Sequence, residues 1–332
     1  MSQYNMRAAV ASYPREPLQI KILPSPTPKA GQVLVKVCAA SVNPLDTKIS
    51  LGQGLHARQP LPAVLGIDLA GIIEAVGEDV VAWKVGDEVF GMAGGIGGQQ
   101  GTLAEYIAVD ADLLARKPHS WSMRKAAALP LVFITAWEGL VDRANVQRGQ
   151  KVLIQGGAGG VGHMAIQIAK ARGAEVFATG SAAHSEVIES FGATAIDYLT
   201  QATPTDYLDR YTNGEGFDIV FDTVGGAVLD ASFEVAKVYT GHVVSCFGWG
   251  EHKLAPLSFR GATYSGVFTL LPLLTGKGRK HHGDILAEAT LMAETGKLRI
   301  LLDDRRFTLE NVNEAFSIVT AGKAKGKVII EM

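Results

Sequence analysis

Lys151-Val152-Leu153-Ile154-Gln155-Gly156-Gly157-Ala158-Gly159-Gly160-Val161-Gly162 is the stretch on which the reading of this chain turns. A short, largely apolar segment of strand length runs into a cluster of glycines. From Val161 to Arg172 the periodicity changes, with Met164, Ala165, Ile168 and Ala169 falling on one helical face. A glycine cluster alone is weak, but one that ends a strand and opens a helix reads as a phosphate-binding turn. Gly157 permits the tight turn, Gly159 lets backbone approach a pyrophosphate, and Gly162 lets the helix pack on the strand. Across Ala158, Gly160 and Val161 the N–H groups of the helix start face the anion.

Which dinucleotide fits depends on the tip of the next strand, Glu175-Val-Phe-Ala-Thr179, where an Asp or Glu would accept from a ribose 2′-hydroxyl. The chain leaves that strand through Thr179-Gly180-Ser181-Ala-Ala-His184, and no acid occurs before Glu186. Nothing there repels a 2′-phosphate, and Ser181 and His184 can donate to one, so NADP(H) is favoured over NAD(H). His184 has a plain alternative as an exposed residue in the first turn of a helix.

Outward from this unit the alternation continues. Helix-like His184 to Phe191, strand-like Ala193 to Asp197, helix-like Thr205 to Tyr211, a strand ending at Asp222, helix-like Ala227 to Val238 and a strand from Gly241 to Cys246 follow in order. Continuous apolar strands separated by helices call for a parallel sheet covered on both faces. Before Lys117 the text is different, with short β-branched segments punctuated by turn residues, such as Val33-Leu-Val-Lys-Val-Cys-Ala and Leu69-Ala-Gly-Ile-Ile-Glu-Ala-Val. The glycine-rich run from Gly91 to Gly101 reads as a flexible loop, either a mobile rim over a site or bland surface. Past Gly278 the expected elements are a helix from Asp284 to Thr295, Leu298 to Leu302, a helix from Leu309 to Thr320 and the strand Lys327-Val-Ile-Ile-Glu331.

Composition narrows the class. The 332 residues carry 31 Lys and Arg against 33 Asp and Glu, a net charge of -2, which supplies no field for gathering nucleic-acid phosphates. Hydrophobic residues at 47% exclude wholesale disorder. No apolar run reaches the roughly 20 residues of a membrane span, and Met1 to Arg7 lacks the apolar core of a secretory signal, so a cytoplasmic, membrane-free protein is expected. Cys38 and Cys246 are too few for a disulfide framework or a four-thiolate metal site, and read as reduced, mostly buried thiols.

Several separated motifs, in order, resemble the medium-chain dehydrogenase/reductase superfamily and within it the zinc-free quinone oxidoreductase branch that includes zeta-crystallin. They are Ala40-Ser-Val-Asn43-Pro-Leu-Asp46-Thr-Lys48, Gly66-Ile67-Asp68-Leu-Ala-Gly71, Val85-Gly-Asp-Glu-Val-Phe90, Ala126-Ala-Ala-Leu-Pro130, Ile134-Thr135-Ala-Trp137, the glycine turn, Asp222-Thr-Val-Gly-Gly226 and Gly326-Lys-Val-Ile-Ile330. The resemblance covers nearly the whole chain. It implies an α/β protein with a GroES-like, mainly-β catalytic domain (1–124, with 269–332 returning to it) and a doubly wound, Rossmann nucleotide-binding domain (125–268), usually as a homodimer with a cleft between domains. Zinc-dependent members place a Cys just before the segment at Asn43, a His between Gly66 and Asp68, and four clustered Cys. Here Ile67 stands at the His position and no Cys lies between Cys38 and Cys246, so no metal is expected.

Without a Lewis acid, oxidation of a simple alcohol loses its usual assistance, whereas quinones and α,β-unsaturated carbonyls accept hydride because conjugation spreads the resulting charge. The expected activity is therefore NADPH-dependent, metal-free hydride transfer to such a small molecule. An NADPH-binding protein with little catalysis and a zinc alcohol dehydrogenase are the alternatives. By resemblance, Asn43 and Asp46 belong at the cleft, where Asn43 either bonds a developing oxyanion or, with Asp46, merely holds a turn. Lys48 stands where relatives often carry Tyr, and either donates or points to solvent. Thr135 matches a threonine beside the nicotinamide, or bonds its own backbone. Tyr198 matches a tyrosine at the adenosine-phosphate end, Gly225, Phe247 and Gly248 follow strand ends where ligands of such sheets collect, and Phe268 matches a pocket residue. Phe133, Trp137 and Trp249 are pocket walls or core. Lys323, Lys325 and Lys327 either bring positive charge toward the cofactor or form a solvated terminal run, and His281-His282 reads as part of a solvated basic loop.

Overall fold

The computed structural model describes residues 4–201 and 203–332. In chain order the strands are β1 (Asn5–Ala11), β2 (Gln19–Pro24), β3 (Gln32–Val42), β4 (Ala63–Val64), β5 (Asp68–Val76), β6 (Glu88–Met92), β7 (Tyr106–Asp110), β8 (Leu114–Arg116), β9 (Lys151–Gln155), β10 (Glu175–Gly180), β11 (Thr194–Asp197), β12 (Ile219–Asp222), β13 (His242–Ser245), β14 (Thr263–Gly266), β15 (Phe307–Thr308) and β16 (Val328–Glu331). The chain divides into two compact units, one of residues 1–131 with 270–332 and one of residues 132–269.

The first unit is mainly β. β1 lies between β2 and β4, and a second sheet runs β15-β16-β3-β5-β6-β8 with β7 also on β3. Its long strand β3 alternates as a half-buried strand should, Val33, Val35 and Val37 turning inward while Lys36 faces out. The C-terminal strand β16 pairs antiparallel with the end of β3, Val328 opposite Val42, and β5 pairs on the other side with Leu69 opposite Ala40. Residues widely separated in sequence, just before β16, at the end of β3 and at the start of β5, are thereby placed side by side.

The second unit is a sheet of parallel strands ordered β11-β10-β9-β12-β13-β14. The strands read as continuous apolar runs because both faces are covered: Leu153, Phe177, Val220 and Val243 pack with Phe217, Phe233 and Leu257. The order reverses at β9, so the switch point lies between the carboxyl ends of β9 and β12, the place where sheets of this kind hold ligands.

Two expectations are corrected. The glycine-rich run is not loose: Ile96 is buried, Gly97 N–H donates to Ala57 O at 2.9 Å, and a Cβ at Gly94 or Gly101 would lie 2.1 or 2.2 Å from the carbonyl oxygen of Gln100 or Leu65. Glycine stands there because backbone runs against backbone. His281 and His282 do not sit in a loop, since a helix spans Arg279–Glu294 and His282 is buried within it. The segment 298–302, which the sequence leaves without an element type, makes an isolated bridge from Leu302 to Lys327. β14 went unforeseen because it is a half-exposed edge strand, Thr-Tyr-Ser-Gly, with no apolar run to announce it. No helix of the described residues is long and apolar enough to cross a membrane.

Candidate functional site

The glycine turn sits at the end of β9. Gly159 caps the helix Gly160–Ala171, whose first backbone bond runs from His163 N–H to Gly159 O at 3.0 Å. The N–H groups of Gly160, Val161 and Gly162 have no partner within the helix. A Cβ at Gly157 would lie 2.6 Å from the Cβ of Ala178, and one at Gly162 would lie 2.1 Å from Gly156 O, while at Gly159 only Gly156 O comes near, at 3.2 Å. Two of the glycines thus fit the helix against the sheet, and the third, which is exposed, leaves backbone accessible. The residues fit a dinucleotide diphosphate. The turn is braced from the next strand, as Thr179 Oγ1 donates to Gln155 Oε1 at 2.9 Å and accepts from Gly156 N–H at 2.9 Å. Thr179 is buried, so it braces the turn, while Gly180 ends β10.

Past β10, Ser181 Oγ and His184 Nδ1 lie 2.9 Å apart on an exposed turn, and Tyr198, half-exposed, donates its N–H to Gly180 O at 3.2 Å. The three cluster at one exposed strand end. At β12, Asp222 is fully buried and organises the next loop, accepting from the N–H groups of Val224 and Gly225 and from Ser245 Oγ. Gly225 and Gly248 follow the adjacent strands β12 and β13. Phe247 and Trp249 are partly exposed with ring centroids 6.3 Å apart, and Trp249 meets Phe268 edge-on at 6.4 Å. Phe133 and Trp137 are core. Thr135 Oγ1 is 3.1 Å from Thr269 Oγ1, which also donates to Glu138, so its hydroxyl joins a side-chain chain.

The other candidate residues belong to the first unit. Asn43 and Asp46 begin the helix Pro44–Ser50, and both are buried, with Asn43 N–H donating to Asp46 Oδ2 at 2.8 Å. The Asn43 amide is committed: Nδ2 donates to Asp68 Oδ2 at 2.9 Å and to Ser41 Oγ at 3.2 Å, and Oδ1 accepts from Lys327 Nζ. Asp68, fully buried, accepts further from Ser41 Oγ at 2.8 Å and from Leu131 N–H at 3.0 Å. Lys327 Nζ is 3.8 Å from the same carboxylate, so the reading of Lys327 as part of a solvated run is overturned. Lys323 and Lys325 are exposed, and Lys325 is anchored through its N–H on Asp303. Lys48 is exposed on its helix.

The partners of Asp68, namely Ser41 Oγ, Asn43 Nδ2, Leu131 N–H and the Lys327 ammonium, are all donors, which marks it as a carboxylate opposite an ammonium. Burial pushes the Asp68 carboxyl up and the Lys327 ammonium down, and each opposes the other's shift. Asp46 differs, because its Oδ1 is buried without a well-formed hydrogen bond, and burial, aided by the charge of Asp68 and opposed by the backbone N–H groups of Asn43 and Gly66, pushes its carboxyl up to about 7. Sequence reasoning missed Ser41 and Asp68 as site residues. The signal was present for Asp68, an acid inside an apolar strand start. Cys246 is also buried enough for its thiol to be pushed up to about 12, and both cysteines are free.

Residues 29–119 match the family described as alcohol dehydrogenase GroES-like domain, and residues 191–330 match zinc-binding dehydrogenase. The chain is 38% identical over 92% of its length to the 2-methylene-furan-3-one reductase of Solanum lycopersicum, and 38% identical over 92% to the chloroplastic NADPH-dependent alkenal/one oxidoreductase of Arabidopsis thaliana, in both cases spanning 73% of the relative. The chain belongs to the medium-chain dehydrogenase/reductase superfamily. The crystal structure of an alcohol dehydrogenase superfamily protein from Novosphingobium aromaticivorans is 55% identical, with a TM-score of 0.96 over 98% of this chain and 99% of that one.

Membership raises the question of zinc, and the residues present do not fit it. The position of the zinc relatives' histidine is a buried isoleucine, Ile67, and its neighbour Asp68 is engaged by Ser41, Asn43 and the Lys327 ammonium, whose charge would repel a divalent ion. Among the described residues no group of three or more His, Cys, Asp and Glu is placed to hold a metal.

Proposed function

We propose that this medium-chain dehydrogenase/reductase is an NADPH-dependent reductase of α,β-unsaturated carbonyls and quinones. The observation that carries the reading is the glycine turn at the reversal point of the parallel sheet, with its free helix-start N–H groups and its acid-free neighbouring strand end. The relatives named as a furanone reductase and an alkenal/one oxidoreductase support a conjugated carbonyl as the acceptor.

NADPH, when bound, supplies the hydride. Gly160, Val161 and Gly162 hold the diphosphate through their N–H groups, and Ala158 closes the turn over it. Ser181, His184 and Tyr198, gathered at the exit of β10, take the 2′-phosphate end. Gly225, Phe247, Gly248, Phe268 and Thr135 line the nicotinamide end, their strand-end placement and ring contacts supporting the assignment. Lys325, exposed beside β16, adds positive charge for the cofactor. Hydride arriving at the β-carbon leaves negative charge on the acceptor oxygen, and the chain's task is to align the acceptor and stabilise that charge. The start of helix Pro44–Ser50, with Asn43, Asp46 and the exposed Lys48, is where the family motif puts this work. We also read the working form as a homodimer, which light scattering after size exclusion checks.

Following reduced-nicotinamide absorbance with NADPH or NADH and a panel of alkenals, enones, quinones and simple ketones tests the reading. Turnover of conjugated acceptors with NADPH and none of simple ketones is expected. Tight NADPH binding without turnover of any conjugated acceptor would overturn it.

A further inference from the structure

Three strands carry Lys327, Ser41 with Asn43, and Asp68 into one buried cluster, and the helix that starts there brings Asp46. The cluster holds two carboxyl groups and one ammonium, all buried. Its hydrogen bonds have a direction. Lys327 Nζ can only donate, so it fixes Asn43 Oδ1 toward itself. That turns the Asn43 amide N–H groups onto Asp68 and Ser41 and leaves Asn43's backbone N–H on Asp46 Oδ2. A buried carboxylate without a cation is costly, and among the described residues Lys327 is the cation within ion-pair distance of Asp68.

We propose that Lys327 is a positioning residue for the reduction, its buried ammonium supplying the fixed positive charge of a site that does not fit zinc, and acting through Asn43 and Asp68 on Asp46. The inference rests on the reductase reading for its kinetic consequence, but its core is a statement about one proton. Asp68 is engaged by Ser41, Asn43, Leu131 and the Lys327 ammonium, whereas Asp46 accepts only from backbone N–H groups, those of Asn43 and Gly66, so Asp46 is the carboxyl of the cluster on which a proton resides at or below neutral pH. The charged groups that face Asp46 are Asp68 from β5 and Lys327 from the segment before β16. Lys48 on its own helix and Glu314 on the helix Val312–Thr320 packed against it are both exposed. Removing the ammonium favours the protonated acid, and removing the Asp68 charge favours the ionised one.

The experiment compares wild type, Lys327→Met, Lys327→Arg, Asp68→Asn and the double variant Lys327→Met/Asp68→Asn. The carboxyl carbon of Asp46, assigned by its loss in Asp46→Asn, is titrated by NMR, and kcat and KM are measured with NADPH and one conjugated enone across pH, beside melting temperature. Lys327→Met should move the Asp46 titration to higher pH and lower kcat at least tenfold with the KM for NADPH within about twofold. Asp68→Asn should move the titration to lower pH. The double variant should recover melting temperature without recovering kcat, and Lys327→Arg should retain part of it. An Asp46 titration unmoved in Lys327→Met overturns the proposal whether or not the enzyme turns over. Restoration of kcat by the double variant likewise reduces Lys327 to a structural counter-ion. A wild type without turnover refutes the reductase reading instead, and leaves the NMR titration to decide the proton's placement.

Discussion

The two candidate regions, one in each unit, are built on opposite principles. The glycine turn of the second unit is a site of backbone: its donors are main-chain N–H groups, and its side chains matter by being absent. The cluster of the first unit is a site of side chains, in which Asn43, Asp68 and Lys327, far apart in sequence, meet because β16, β3 and β5 are neighbours. A backbone site tolerates no added atom, whereas a charge cluster tolerates a change of shape but not of charge balance. The largest test of that contrast is Gly162→Val. A Cβ there would lie 2.1 Å from Gly156 O, and because the obstacle is backbone, the turn itself must shift. We expect NADPH affinity, measured by fluorescence titration, to fall about a hundredfold or more, with about 1–3 kcal/mol of stability lost. Near-native affinity would show that the turn does not seat the diphosphate.

The second test works on charge alone. The Asp46 carboxyl is pushed up to about 7 from an ordinary 3.8, so the folded state binds this proton more tightly than the unfolded chain. Stability from it is therefore full below the ordinary value and declines as pH rises from about 4 to about 7, where the folded protein must hold a second buried carboxylate. Asp46→Asn removes the titration while keeping an oxygen for Asn43 N–H. Its stability curve should be flatter than that of wild type across this interval and lie above it at pH 8, by an amount on the order of a few kcal/mol in denaturant melts. Parallel curves would show that Asp46 is ionised throughout.

The same contrast explains what could be read in advance. The turn was legible because its chemistry is contiguous: strand, glycines and helix follow one another, and the glycine offsets are the site. The alternation of apolar strands and helices from Lys151 to Cys246 was legible for a related reason, since a strand covered on both faces must be apolar along its length. Lys327 was not legible. In sequence it closes a run of lysines at every second position, and only its place opposite the end of β3 shows that it is buried while Lys323 and Lys325 face water. The glycine-rich loop misled for a complementary reason, as small residues signal either freedom or close approach, and Gly94 and Gly101 are there for approach.

The smallest expected effect lies at the rim of the backbone site, where side chains return. Ser181, partly exposed, and His184, exposed, lie 2.9 Å apart at the end of β10, and no acid lies between that strand end and Glu186. A hydrogen bond from such exposed groups to a phosphate competes with water and contributes about 1 kcal/mol. The double variant Ser181→Ala/His184→Ala should therefore raise the KM for NADPH about three- to tenfold, leave the KM for NADH nearly unchanged, and leave kcat with either unchanged. Preference for NADPH is read as the ratio of the two kcat/KM values, so a general loosening of the turn, which would raise both KM values together, is separated from loss of 2′-phosphate recognition. If the ratio does not move, the preference arises elsewhere. The next group to remove is then the hydroxyl of Tyr198, half-exposed and tied by its own N–H to Gly180 O on the same strand end.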